Sequence, residues 1–163
     1  MPGSRRRTAS LLRARQVFFN VPYSRSYERL LVALTVAAVA MGRVPRLTFD
    51  VPEVGEGRLR RIRRLMSECR VSVHDLSHAT CRPSRFNLPF ELGLAVALRL
   101  ETGDHEFHVL ESKAHRLQRT LSDLNGIDAK VHQRDPWRAI RAMLSIIRRP
   151  AGKPHAGAGR GPL

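Results

Sequence analysis

Residues 71–98 read VSVHDLSHATCRPSRFNLPFELGLAVAL, and this one run contains the unit from which the rest of the fold follows. Val71–Asp75 is a short β-branched segment of the kind that forms a strand, and 76–86, with its Pro, Ser and polar residues, is a loop. Asn87 is a favoured N-cap. Pro89 fits the first helical turn, where the N–H it lacks would have had no intrahelical partner. Leu88, Leu92, Ala95 and Val96 recur at helical spacing, and Gly103 is a natural stop. The run therefore reads as strand, loop, helix. The one acid of Arg85–Leu98, Glu91, stands among apolar neighbours and falls about one turn into the helix. There the macrodipole favours an ionised carboxylate by roughly 0.3–1 kcal/mol, which suits a nucleophile or a cation stabiliser better than a general acid. The plain alternative is a solvated acid placed early in a helix.

The same alternation continues in both directions. Upstream, Gln16–Asn20 (QVFFN) reads as a buried strand, and 21–26 as a turn containing Pro22. Ser26–Met41 reads as an alanine-rich helix ended by Gly42, and Val44–Phe49 as a second strand. An acidic loop over 50–57 leads into a helix over Arg58–Cys69, with Leu59, Ile62, Leu65 and Met66 on one face and arginines elsewhere. That arginine cluster reads as a solvated face, with Arg58 at the helix start in reach of a bound phosphate. Downstream, Glu106–Leu110 is a strand, Ala114–Leu124 a helix and Ile127–His132 a strand. A last helix is capped by Asp135, with Pro136 at its first position and Trp137, Ile140, Leu144 and Ile147 spaced for a buried face.

Five strands alternating with five helices imply an α/β fold with a parallel sheet and helices on both faces. For five strands the leading arrangement is the flavodoxin-like three-layer sandwich of order 2-1-3-4-5, since right-handed crossovers remove most others. Ligands in such sheets bind outside the carboxyl ends of the strands, at the switch point between strands one and three. That crevice would be lined by Asn20, Pro22, Tyr23 and Ser24, by His74, Asp75 and Ser77, and by the helix start with Asn87 and Glu91. Asp50, Asp75 and Glu111 each fall at or just past the carboxyl end of a strand, giving a basic protein an acidic mouth. Such a mouth suits a reaction that develops positive charge, as when a glycosidic bond breaks through an oxocarbenium-like state; it would equally receive a divalent ion, though no ligand spacing identifies one.

Composition sets the outer bounds. A chain of 163 residues with 42% apolar content supports one domain, expected over 16–148. The longest apolar run, Leu30–Met41, is far short of the roughly 20 residues of a membrane span, and no secretory h-region follows the N-terminal arginines. Two cysteines, Cys69 and Cys81, have no metal-ligand spacing, and a reducing cytoplasm fits best. Eight of the 29 basic residues lie in the first and last fifteen positions, where there is no acid. That leaves 21 basic against 14 acidic residues, or +7 of the +15, for the middle of the chain. Residues 1–15 and 149–163 read as tails without regular structure, and nucleic-acid binding through them is the less favoured role.

Among the remaining candidates, His74 alternates with Val73 and reads as a half-buried histidine. His132 ends the last strand, facing either the rim or solvent. Ser77, His74 and Asp75 do not form a triad, because neighbouring residues on a strand point to opposite faces. No phosphate-binding or dinucleotide glycine fingerprint occurs.

VFFNVPYSRSY (17–27), CRVSVHDLS (69–77), RFNLPFELGLA (85–95) and, more weakly, RLQRTLSDLNGIDAKVH (116–132) together resemble a bacterial TIR-like family related to nucleoside 2-deoxyribosyltransferases. The resemblance spans about 16–148. It implies a flavodoxin-like fold and cleavage or transfer at the N-glycosidic bond of a nucleoside or of NAD, which would be substrate and not cofactor. It also implies that Glu91 attacks or stabilises the anomeric carbon, Asp75 orients the ribose, and Pro22 and Tyr23 contact base or sugar. The first loop departs from a clean deoxyribosyltransferase signature. Three readings of function follow, in this order. The first is an N-glycosidase or transferase with Glu91 and Asp75 catalytic and Asn20, Pro22, Tyr23, Ser24, Asp50, Arg58, Ser77, Asn87 and Glu111 around the substrate. The second is a TIR-like module that senses a nucleotide or assembles with itself without turnover. The third is a basic nucleic-acid-associated protein.

Overall fold

The computed structural model describes residues 2–48, 57–79 and 86–148, apart from 116, 118, 120 and 125; the side chains of residues 2–7 and 9 are outside the description. Five strands form one sheet: β1 (Gln16–Asn20), β2 (Val44–Arg46), β3 (Val71–Asp75), β4 (Glu106–Glu111) and β5 (Lys130–Val131). Every pairing is parallel and the order is β2-β1-β3-β4-β5. The helices are α1 (Pro2–Arg15), α2 (Glu28–Ala40), α3 (Arg58–Ser67), α4 (Asn87–Thr102) and α5 (Pro136–Ile147).

The two sides of the sheet follow from the strict alternation of strand side chains. Val17, Phe19, Val73 and Leu110 face one way and pack on Leu30, Leu34 and Ala37 of α2 and on Ala139, Met143 and Ile146 of α5. Phe18 faces the other way, onto Ile62, Leu65 and Met66 of α3 and Ala95 and Leu98 of α4. Val109, also on that side, meets Leu88 and Leu92 of α4 and Leu117. This is the three-layer sandwich expected from the order of elements. Its switch point lies between β1 and β3, so α2 leaves β1 toward one face and α4 leaves β3 toward the other.

Several elements differ from their sequence expectation. Residues 2–15, expected as a tail, form α1, whose last turn is tied down by main-chain and side-chain bonds. Arg70 N donates to Arg13 O (3.1 Å), Arg13 Nε donates to Ser67 O (2.8 Å), and the Arg13 guanidinium pairs with Asp104. Leu11 and Leu12 are exposed, so α1 has no apolar stripe for a periodicity search to find. The helix expected over Ala114–Leu124 starts later, since His115 has φ 59°; Leu117 and Arg119 are helical, Leu121 N donates to Leu117 O (2.8 Å), and Ser122–Leu124 is a 3-10 turn. β5 shrinks to Lys130–Val131, an edge strand held by two partners on β4. One stop and one start are as read: Gly103 is the left-handed C-cap of α4, and Asp135 Oδ1 accepts from Arg138 N (3.0 Å) at the start of α5. The 149–163 tail and the 50–56 loop, with Asp50, lie outside the described residues. Among the described residues no helix is long and apolar enough to cross a membrane.

Candidate functional site

At the carboxyl edge of the sheet the structure sorts the expected residues into two groups, one around Asp75 and one around Glu91.

Asp75 ends β3 and is completely buried. Its Oδ1 accepts from the backbone N–H of Ser77 (2.8 Å), while Oδ2 accepts from the Tyr27 hydroxyl and lies 2.9 Å from His132 Nε2. Arg134 N donates to His132 Nδ1 (3.0 Å), which assigns the ring proton to Nε2. The same Nε2 also lies 3.0 Å from Ser77 Oγ, so its single N–H is shared between serine and aspartate. Gln133 and Arg134, both non-glycine residues with positive φ (54° and 61°), form the turn that aims this N–H back at the ring. Burial opposes the charge on Asp75, but the hydrogen bonds from His132, then Ser77 and Tyr27, outweigh it and hold the carboxyl below its ordinary range. Burial, and then Asp75 itself, push the Tyr27 phenol well above its usual value, keeping it a donor. Ser77 and Asp75 meet the same imidazole nitrogen, whereas a nucleophile–base–orienter relay needs opposite nitrogens. The cluster therefore ties the start of α2, the end of β3 and the turn after β5 to one another and leaves Asp75 with both oxygens engaged.

Glu91 lies on the second turn of α4 and is 4% exposed. The N-cap of α4 is Phe86, with no side-chain cap bond, and Asn87 is the first helical residue instead of the cap. The Asn87 amide bonds the Glu91 carboxylate one turn on, and Arg58 Nη2, at the start of α3, lies 3.8 Å from Glu91 Oε1. Burial dominates, and it raises the Glu91 carboxyl above its ordinary value against the opposing pull of Arg58 and Asn87. Desolvation thus overrides the macrodipole effect expected from position alone. Tyr23 is 38% exposed, and its hydroxyl is 3.1 Å from Thr48 Oγ1. Burial raises its phenol, Thr48 pulls it back, and the charges of Glu91 and Arg58 both reach it. Tyr23, Arg58, Asn87 and Glu91 therefore form one neighbourhood. Tyr23 also borders a shallow groove of about 300 Å³ lined by Pro22, Ser24, Arg25, Glu28 and Leu31.

Asn20 belongs to neither group. Its Nδ2 donates to Leu88 O (3.0 Å) and to His74 Nδ1 (3.0 Å). From there a file of buried groups runs on: His74 Nε2 to Ser72 Oγ (2.8 Å), Ser72 Oγ to His105 Nε2 (2.9 Å), and His105 Nδ1 to Cys69 O (3.2 Å). Because the amide at one end must donate and the carbonyl at the other must accept, only one order of protons satisfies every link, with both imidazoles neutral. Burial first, and for His74 the neighbouring His105 and His108, lower these histidines to about 3 (His74) and about 4 (His105). His74 is thus a fully buried strut and not the half-buried histidine of the sequence reading. It holds Asn20, which holds the first turn of the helix bearing Glu91.

The remaining expectations sort as follows. Ser24 bonds locally, its hydroxyl 3.2 Å from that of Ser26 in the turn into α2. Glu111 is buried at the end of β4, where its carbonyl accepts from His132 N (2.9 Å). The acidic mouth is therefore corrected: Asp75, Glu91 and Glu111 are at the rim of the sheet but interior, not an open acidic surface. Tyr27, Thr48 and the role of His132 were missed. Tyr27 sits in the quoted 17–27 stretch, but only the fold brings it to Asp75. Among the described residues no group of three His, Cys, Asp or Glu is placed to hold a metal ion.

No protein-family model matches the chain, and no curated protein matches it in sequence.

Proposed function

We propose that the protein cleaves or transfers at the N-glycosidic bond of a nucleotide-like substrate, NAD or a nucleoside, with Glu91 as the carboxylate that attacks or stabilises the anomeric carbon. The observation that carries this reading is the state of Glu91, a desolvated carboxylate beside a cation, Arg58, and at the expected ligand edge of the sheet. A carboxylate with little water around it interacts more strongly with a developing oxocarbenium ion. Arg58, 54% exposed along its side chain, is suited to a substrate phosphate at the start of α3, and Tyr23 offers a ring face to base or sugar. Asp75 acts here as a positioning residue, since both its oxygens are taken.

A second reading, nucleotide sensing without turnover, draws on that same saturation of Asp75. The resemblance assigns Asp75 to the ribose, and a residue so engaged is poorly free for it. One experiment separates the two. Purified protein and a Glu91→Gln variant are incubated with NAD and a panel of nucleosides, and free nicotinamide or base is followed by chromatography. The enzyme reading expects release by the wild type and none by the variant. Binding without release, measured by calorimetry on the same ligands, favours the sensor.

A further inference from the structure

The only tryptophan of the chain, Trp137, lies on the outer face of α5. Helical spacing puts it on the buried face with Ile140, Leu144 and Ile147, but in the structure it is 74% exposed, and the buried row is Ala139, Ala142, Met143, Ile146 and Ile147. At 3.6 residues per turn, Trp137 stands about 180° around the helix from Ile146. Its neighbours on that outer face are basic. Arg138, Arg141 and Arg148 are exposed and fall with Trp137 within roughly 100° of arc. Arg134, also exposed, stands in the turn just before the helix. Asp135 is the single acid in 129–148, and its carboxylate is committed to the Arg138 N–H at the helix start.

These arginines differ from those of α3. There Arg58, Arg63 and Arg64 lie 3.8, 3.1 and 3.8 Å from Glu91, Glu101 and Glu68, so much of that charge is answered within the chain. Among the described residues, none of Arg134, Arg138, Arg141 and Arg148 has a carboxylate within ion-pair distance; Arg138 and Arg141 act on Asp135 only as nearby charges. The apolar side of α5 is buried in the core, which leaves one ring outside, far less than a helix lying on a membrane inserts. An acidic peptide answers the charge but leaves the flat face of the indole unused. Single-stranded nucleic acid answers both: guanidinium groups pair with phosphates, and an unpaired base stacks on an exposed indole. We propose that the outer face of α5 binds single-stranded nucleic acid, with Trp137 stacked on a base and Arg134, Arg138, Arg141 and Arg148 along the phosphates. The site belongs to the folded domain and uses neither tail. α5 and α4 cover opposite faces of the sheet, so the site does not depend on Glu91.

Because Trp137 is the only tryptophan, its fluorescence reports on this face alone. The test titrates the full chain with a short oligothymidylate and follows that fluorescence at several salt concentrations. The expected result is saturable quenching, with a binding constant that falls with salt on a log–log slope of roughly −2 to −3, as for three or four phosphates. Replacing Arg138 and Arg141 together by serine should flatten that slope by about half. Trp137→Ala, followed by the anisotropy of a labelled strand, should weaken binding about 10-fold, while Arg60→Ser on α3 and Glu91→Gln should leave it unchanged. Anisotropy that rises without quenching would place the strand on the tails. Quenching as strong with a duplex, with polyglutamate or with phosphatidylserine vesicles would name a different partner. Either outcome, an absence of quenching, or an unchanged slope in the double arginine variant would overturn the proposal.

Discussion

Asp75 and Glu91 are both buried carboxylates at the carboxyl edge of one sheet, and their surroundings push them in opposite directions. Asp75 receives Tyr27, His132 and the Ser77 amide, and is held below its ordinary range. Glu91 has Asn87 within its own helix and an arginine at 3.8 Å, and burial raises it. Position at the rim therefore does not by itself make a reactive group; the number of donors already aimed at the oxygens decides. One carboxylate is bound into the fold on both oxygens; the other has only Asn87 and a more distant Arg58 against its burial.

The largest expected effect tests the first half of that contrast. Asp75→Asn replaces an acceptor with a donor facing other donors on one side or the other, and should lower unfolding stability by roughly 3–5 kcal/mol, measured by urea titration. A loss below about 1 kcal/mol would mean that the bonds around Asp75 are not coupled as described.

Next is the file of neutral histidines under α4. His74 and His105 have folded values (about 3 and about 4) below their unfolded 6.5. The unfolded chain therefore takes up protons first as pH falls. Their contribution is intact above pH 6.5 and is lost progressively below it, on the order of 1–2 kcal/mol per histidine by pH 5. Asp75 behaves otherwise: its depressed carboxyl supports the fold above the unfolded value of 3.8 and loses that support only as pH falls through its lower folded value. The difference between the pH 7 to 5 slopes of the wild type and of a His74 variant therefore reports the histidine file. His74→Gln should flatten the slope; an unchanged slope would remove His74 from the account.

Tyr27→Phe deletes one donor to Asp75 while keeping the ring in the core, and should cost about 1–2 kcal/mol in the same urea titration. A neutral result would indicate that His132 and Ser77 satisfy Asp75 unaided.

The sequence revealed the layers because they depend on local, repeated signals. Alternating β-branched runs, helical spacing and caps such as Gly103 and Asp135 each act within a few residues. It placed Glu91 and Tyr23 together through the switch-point rule alone. It did not reveal that Asp75 is saturated, because the three groups that saturate it come from the start of α2, the loop after β3 and the turn after β5. Nor could spacing show that Asn87 serves Glu91 and not the helix cap, since both are one-turn contacts from the same position. α1 was missed for a different reason: it is anchored through Arg13 and main-chain bonds, and none of its described side chains is buried.

The smallest expected change in stability belongs to Glu91. Its folded carboxyl is raised above the unfolded 4.5, so the folded state gains nothing from ionising it and is disfavoured as pH rises from 4.5 through that raised value. At neutral pH a Glu91→Gln variant should therefore be as stable as the wild type or slightly more so, by up to about 1 kcal/mol, the pattern of a residue retained for function at the expense of stability.

The most direct test of the central claim measures both properties on one preparation of Glu91→Gln: thermal midpoint, and release of nicotinamide or base from NAD and nucleosides. The account predicts an equal or higher midpoint with release abolished. Release at the wild-type rate, or a midpoint that falls as far as that of Asp75→Asn, would contradict it.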